Sequence, residues 1–221
     1  ERGIVAVAMD YFGHGERAQP GNSHGIGTFS YTRLTATGME VSDAMRVVSY
    51  LRERGDVDSK RIGFTGWSGG GHCSHWVGAV DDRVTLVVPC VGTCDYPAMW
   101  IRRSLDSETR ERNECWHMHM PGYRGHSDIG LAFASIYPRR LRVINEQGEV
   151  TFSQENAQPW IARARAVYAL LGQPDRVDLR CPNLHHNYDA KKQEQLYDVV
   201  NEEFFDGKHD LGKRVLTTPE F

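Results

Sequence analysis

Residues 61–71 read Arg-Ile-Gly-Phe-Thr-Gly-Trp-Ser-Gly-Gly-Gly. Arg61 to Thr65 has the composition of a short strand and runs without a break into Gly66-Trp67-Ser68-Gly69-Gly70, after which His72 to Val80 can continue as a helix. The pentapeptide matches G-x-S-x-G in the setting that gives this pattern meaning: strand, tight turn, helix. Small residues two before and two after the serine are expected, because the chain turns so sharply there that side chains would collide. Ser68 is thereby pushed out at a helix N-terminus, where the backbone N–H of Gly69 can stabilise an oxyanion. The competing readings are a glycine-rich turn of purely structural use and a phosphate-binding loop. Neither Gly-x-Gly-x-x-Gly nor a Gly-Lys-Ser ending accompanies it.

Outward from this stretch, apolar runs of strand length alternate with amphipathic runs of helical period. Ile4 to Met9 reads as a first strand, left through the loop Asp10-Tyr11-Phe12-Gly13-His14-Gly15, whose glycines permit a sharp exit. Val41, Ala44, Met45, Val48 and Leu51 recur at spacings of three and four and define a helix ending near Gly55. Val84 to Val91 has almost no polar alternation, as expected of a central parallel strand. Leu141 to Asn145 and Val177 to Cys181 read as further strands, and Gln158 to Leu171 and Asp189 to Phe205 as helices. The expected fold class is α/β, a three-layer αβα sandwich on a mostly parallel sheet. Between Gly92 and about Gly130 no clean strand occurs, and Trp, His, Met and charged residues accumulate. That texture suits a cap-like excursion, at about 92–130, from a single domain spanning 1–221.

Composition narrows the function classes. At 221 residues, with 40% hydrophobic and 25% charged residues, the chain can bury a core and is neither disordered, collagen-like nor coiled-coil. Lys and Arg number 26 against 29 Asp and Glu, so no strong positive field exists to hold nucleic acid. No apolar run approaches the roughly 20 residues of a membrane helix. Five cysteines (Cys73, Cys90, Cys94, Cys115, Cys181) form no Cys-x-x-Cys pair and do not read as a disulfide framework, which favours a reducing, cytoplasmic compartment. The sequence opens at Glu1 with no initiator Met, basic n-region or cleavage site, so a secreted or periplasmic location stays open.

The chain resembles the α/β-hydrolase superfamily, in the bacterial esterase and prolyl-oligopeptidase-like branch that includes relatives of acetyl xylan esterase and dienelactone hydrolase. The resemblance rests on Asp10 to Glu16 (DYFGHGE), Arg61 to Gly71, Arg142 to Phe152 (RVINEQGEVTF), the helix ending Ala164-Arg165-Ala166-Val167-Tyr168, and His186-Asn187-Tyr188 followed by Leu196-Tyr197-Asp198. It implies a catalytic triad in the chain order serine, acid, histidine, with acid and base on loops after later strands. Serine needs such partners, being a weak nucleophile without a base in hydrogen-bond reach and an acid to orient that base.

Ser68 is then the nucleophile. His185 and His186 both lie past the last expected strand. His186 keeps the family's register to Tyr188 and Leu196, so it is taken as the base, with His185 the alternative. Aligning the trailing Phe152 puts Glu149 in the acid position, while Glu146 lies closer to the strand end. The resemblance also implies a second oxyanion donor from a strand upstream of the Asp10 loop. The sequence begins where the family is in its middle, so this part either lies outside the sequence or is lost, and an exposed sheet edge is expected.

Other features rank lower. His117-Met118-His119, with Cys115 and His126, lacks a metal-ligand pattern, so neither a metal nor another cofactor is expected. Cys73 reads as a small core residue. Trp67, Trp100 and Trp116 can line a substrate site as an aromatic wall for an acyl or sugar group, or serve as core or cap packing. The resulting expectation is a serine hydrolase that cleaves a small-molecule or carbohydrate ester through an acyl-enzyme. An oligopeptidase and a non-catalytic binding scaffold are the alternatives.

Overall fold

The computed structural model describes residues 3–18, 34–93, 129–147, 154–182 and 186–209. Helix α1 is Ala36–Glu53, β1 is Gly63–Trp67, α2 is Gly69–Val80 and β2 is Leu86–Cys90. A short helix α3, Ile129–Ala134, precedes β3, Arg140–Ile144; α4, Gln154–Leu170, precedes β4, Val177–Arg180; and α5 is Ala190–Phe205. Among the described residues the sheet has four strands, all parallel, in the order β1-β2-β3-β4.

The helices start where side chains can satisfy their unpaired N–H groups. Thr35 Oγ1 accepts from Gly38 N at 2.9 Å before α1, and Asp189 Oδ1 accepts from Lys192 N at 3.2 Å before α5. Val41, Ala44 and Val48 of α1 are buried, as their spacing predicts, with Met45 and Leu51 packed at the margin of the same core.

The side chains sort into two faces. A Cβ on Gly78 of α2 would meet Val87 at 2.6 Å, while one on Gly63 would meet Phe204 of α5 at 3.4 Å. Gly63 is in register with Leu86. Neighbouring residues of a strand point to opposite faces, so α2 and α5 cover the two sides of the sheet and give three layers, α, β and α.

Two outcomes depart from the sequence pattern. Ile4 to Met9 pairs with no strand among the described residues, and Ile4, Val5 and Val7 are 46–48% exposed. An apolar run acquires strand structure only where a neighbour accepts its backbone bonds, and the described part of the sheet offers it none. On β3, Arg140 and Arg142 are buried in what reads as an apolar strand. Arg142 Nε lies 3.1 Å from both Asp178 carboxylate oxygens and its Nη2 lies 3.0 Å from Glu202 Oε2, so the charge is matched within the α5 side of the sheet. The expected excursion falls almost wholly on residues 94–128, outside the described residues. No helix among the described residues is long and apolar enough to cross a membrane.

Glu40 of α1 is buried, and its Oε2 meets no hydrogen-bond partner among the described residues. Burial, then repulsion from Asp43, pushes its carboxyl up to about 7. The folded state therefore holds a proton that the unfolded state gives up near the ordinary carboxylate value, and stability is lost as pH rises from there through about 7. Urea unfolding should show Glu40→Gln gaining on the wild type by roughly 2–3 kcal/mol between pH 5 and pH 8. Parallel pH profiles for the two proteins would refute this placement of Glu40.

Candidate active site

Ser68 sits between β1 and α2 with φ 56° and ψ −113°, a left-handed conformation that is uncommon for a residue with a side chain. Its N–H donates to the Cys90 carbonyl at 3.0 Å, and its carbonyl accepts from His72 N at 3.0 Å. The glycines around it leave no space for side chains. A Cβ on Gly66 would lie 2.5 Å from the Gly70 backbone, and one on Gly71 2.1 Å from the Val91 carbonyl oxygen. One on Gly92, whose φ is +131°, would lie 2.1 Å from the Ser68 oxygen. The steric demand after the serine thus falls hardest at the third residue. At the second, Gly70, a Cβ would only approach the Tyr11 hydroxyl, at 3.3 Å. Gly69 is the first residue of α2.

Asn145 and Glu146 follow β3 and are held on all sides. Asn145 N donates to the Arg180 carbonyl at 2.8 Å, and Gln154 N donates to the Glu146 carbonyl at 2.8 Å. The Asn145 side chain exchanges bonds of 3.2 Å with Thr93. The Glu146 side chain is fully buried, with Oε1 3.3 Å from His186 Nδ1 and 3.0 Å from Lys192 Nζ. The His186 ring in turn tilts against the indole of Trp67, with centroids 4.8 Å apart. Residues from opposite edges of the described sheet, β1 and the segment after β4, therefore meet over its C-terminal end, the usual place for a site in an α/β sheet.

The electrostatics separate these groups from their neighbours. Burial pushes the Glu146 carboxyl up, but hydrogen bonds from His186 and Lys192, together with their charges, outweigh it and hold the carboxyl below its ordinary value. Glu146 is accordingly a carboxylate at neutral pH. Burial chiefly raises the thiols of Cys73 and Cys90 to about 12 and of Cys181 to about 11, which leaves them protonated and poor nucleophiles. His75, enclosed by Trp76 and Phe133, is lowered to about 3 by burial and stays neutral in the core.

Of the residues singled out in the sequence, the structure brings together Trp67 and His186, and it places Ser68 and Gly69 at the same β1–α2 turn as Trp67. Glu146 is the carboxylate against His186. Glu149, His185, Trp100 and Trp116 lie outside the described residues, as do Cys115, His117, Met118, His119 and His126. No group of three or more metal-binding side chains is found among the described residues. Lys192 has no counterpart in the sequence reading. A signal for it exists: Lys191 and Lys192 stand in the first turn of α5, where the helix dipole disfavours cations, so one of them calls for a nearby anion.

A parallel sheet with helices on both faces, entered by a strained strand-to-helix turn at Ser68, is the α/β-hydrolase fold. The chain belongs to the prolyl oligopeptidase family, whose sequence profile matches residues 1–130. It is 26% identical over 174 residues to the Bacillus subtilis (strain 168) protein named "Putative hydrolase YtaP", covering 78% of this chain and 56% of that protein. Similar solved structures include methylesterase BT1017 (TM-score 0.64, 22% identity, 89% of this chain and 40% of that one). A carbohydrate esterase family 15 glucuronoyl esterase from Caldicellulosiruptor kristjansonii is also similar (TM-score 0.62, 19% identity, 85% and 56%). So is the glucuronoyl esterase catalytic domain from Hypocrea jecorina (TM-score 0.63, 19% identity, 80% and 54%). The chain spans about half the length of these relatives, between 40% and 56%.

The glycine geometry separates positions that look alike in sequence. Gly66→Ala and Gly71→Ala should each cost about 3 kcal/mol or more, because backbone must move, whereas Gly70→Ala should stay within about 1 kcal/mol of wild type. Denaturant unfolding of the three variants measures this, and equal effects at all three positions would contradict the geometry.

Proposed function

We propose that the chain carries the centre of a serine hydrolase that cleaves carboxylic esters through an acyl-enzyme. The observation that carries this reading is the conformation of Ser68. A left-handed residue costs of order 1–3 kcal/mol unless it is glycine, and here a serine occupies the position between three glycine-lined close approaches. The Ser68 side chain makes no capping bond to α2, which supports a chemical reason for a serine at this position.

In the proposed mechanism Ser68 Oγ attacks the ester carbonyl carbon while His186 Nε2 takes its proton. His186 Nδ1 is engaged with Glu146, and Nε2 is the nitrogen assigned to this role. The carbonyl oxygen becomes an oxyanion that accepts from the Gly69 N–H at the start of α2. Collapse of the tetrahedral intermediate breaks the bond to the alcohol oxygen, which receives the proton from His186. Water then repeats the sequence on the acyl-enzyme and releases the acid.

Glu146 is the acid we assign, because among the described residues its carboxylate meets His186. Its carboxylate orients the ring and stabilises the imidazolium formed in each half-reaction. Trp67, whose indole is 38% exposed beside the imidazole, supplies an apolar wall for the substrate. Trp100 and Trp116 are proposed to extend that wall from the segment between β2 and α3. The similar esterases named above act, by their names, on glucuronoyl and methyl esters, which supports a carbohydrate ester as the substrate class. The family's name supports a second reading, cleavage of a peptide bond by the same groups.

Ser68→Ala and His186→Ala should each lower turnover of a short-chain nitrophenyl ester by roughly 10⁴-fold or more with the fold intact, because members of a triad act as a unit. Retained turnover in Ser68→Ala would end the proposal, and peptide cleavage without ester cleavage would favour the second reading.

A further inference from the structure

We propose that Lys192 is a positioning residue for the base, clamping the turn that carries His186 and neutralising the charge of Glu146. This rests on the ester-hydrolase reading above. Lys192 Nζ is fully buried and lies 3.0 Å from Glu146 Oε1, 2.6 Å from the Asn187 carbonyl oxygen and 3.2 Å from Asn187 Oδ1. Among the described residues three acceptors surround this nitrogen, a set that suits the donors of an ammonium. Two of the three acceptors belong to the residue that follows His186, and the Lys192 N–H is itself bonded to Asp189. The turn 186–189 is thereby tied from its middle and its end to the first turn of α5.

The shared oxygen has an electrostatic consequence. Glu146 Oε1 receives both His186 Nδ1 and Lys192 Nζ. A buried carboxylate alone beside an imidazole would hold a proton there strongly and keep the base in its inactive form. With Lys192 in place the carboxylate is one half of a neutral pair. It still fixes the ring through Nδ1, but it attracts the imidazolium less. Among the described residues the other titratable groups facing this cluster are Cys90 at the end of β2, Cys181 after β4 and Asp189 at the N-terminus of α5. The two thiols are held protonated by burial, so Asp189 is the remaining charge among the described residues. It caps the helix that carries Lys192 and is unchanged in the variants below.

The test is the proton NMR titration of histidine-labelled protein, with the His186 signal identified by its loss in His186→Ala. Lys192→Met should raise the His186 titration midpoint by about one pH unit relative to wild type. The same substitution on a Glu146→Gln background should also raise it relative to Glu146→Gln alone. That second comparison leaves no unpaired buried charge in the double variant, and it decides the matter if Lys192→Met does not fold. A filler role for Lys192 would lower the melting temperature without moving the midpoint. Midpoints unchanged within about 0.3 pH unit on the background that folds would overturn the proposal. The titration needs no substrate, so absence of ester turnover in the wild type would count against the ester-hydrolase reading and leave this test standing.

Discussion

Backbone meets backbone at the start of α2, and the remainder of the site depends on that contact. Ser68 N bonds the Cys90 carbonyl, and Gly66, Gly71 and Gly92 sit where any Cβ would overlap main-chain atoms. The helix can begin this close to the sheet only if the chain turns within one residue after β1. Ser68 takes the left-handed conformation as a result. Val91, with φ 52°, is strained in the same way at the end of β2, where its N–H donates to Ile144 at 2.7 Å. Each such residue costs of order 1–3 kcal/mol. The fully buried strand β2 and the apolar side of α2, with Cys73 and Val77 at zero exposure, offset that cost through the area they bury.

A second contrast lies in how the protein uses buried charge. On the α5 side of the sheet, Arg140 and Arg142 share Asp178 and Glu202, and the result is a cross-link between β3, β4 and α5. At the C-terminal end, Glu146 is shared by a cation and an imidazole that can change its own charge. Removing one partner of a buried pair costs about 3–5 kcal/mol, so both clusters resist substitution. Only the second contains an imidazole, and that difference separates the two networks.

Much of this arrangement is legible along the chain. The strand, tight turn and helix around Ser68 are local features, encoded by apolar period and glycine, and they appear where residues 61–80 predict them. The strands β2, β3 and β4 also fall within two residues of their apolar runs. What the pattern does not carry is pairing. Ile4 to Met9 has the composition of a strand but no neighbour in the described sheet. Arg140 and Arg142 look solvent-facing until residues from β4 and α5 arrive beside them. The carboxylate proposed as the acid is of this kind too. Alignment on Phe152 favours Glu149, whereas Glu146, two residues past the end of β3, is carried by the strand's own direction to His186. Lys192 is separated from Glu146 by 46 positions, so only its awkward place at a helix N-terminus hints at the contact.

On the proposed reading the strained turn presents Ser68 as a nucleophile. Treating the folded protein with a fluorophosphonate at pH 8 and mapping the modified peptide by mass spectrometry tests it most directly. The expected product carries one phosphonyl group per chain, on Ser68, formed faster than on the same protein unfolded in urea. A label on any other residue, or no label on the folded chain, would contradict it.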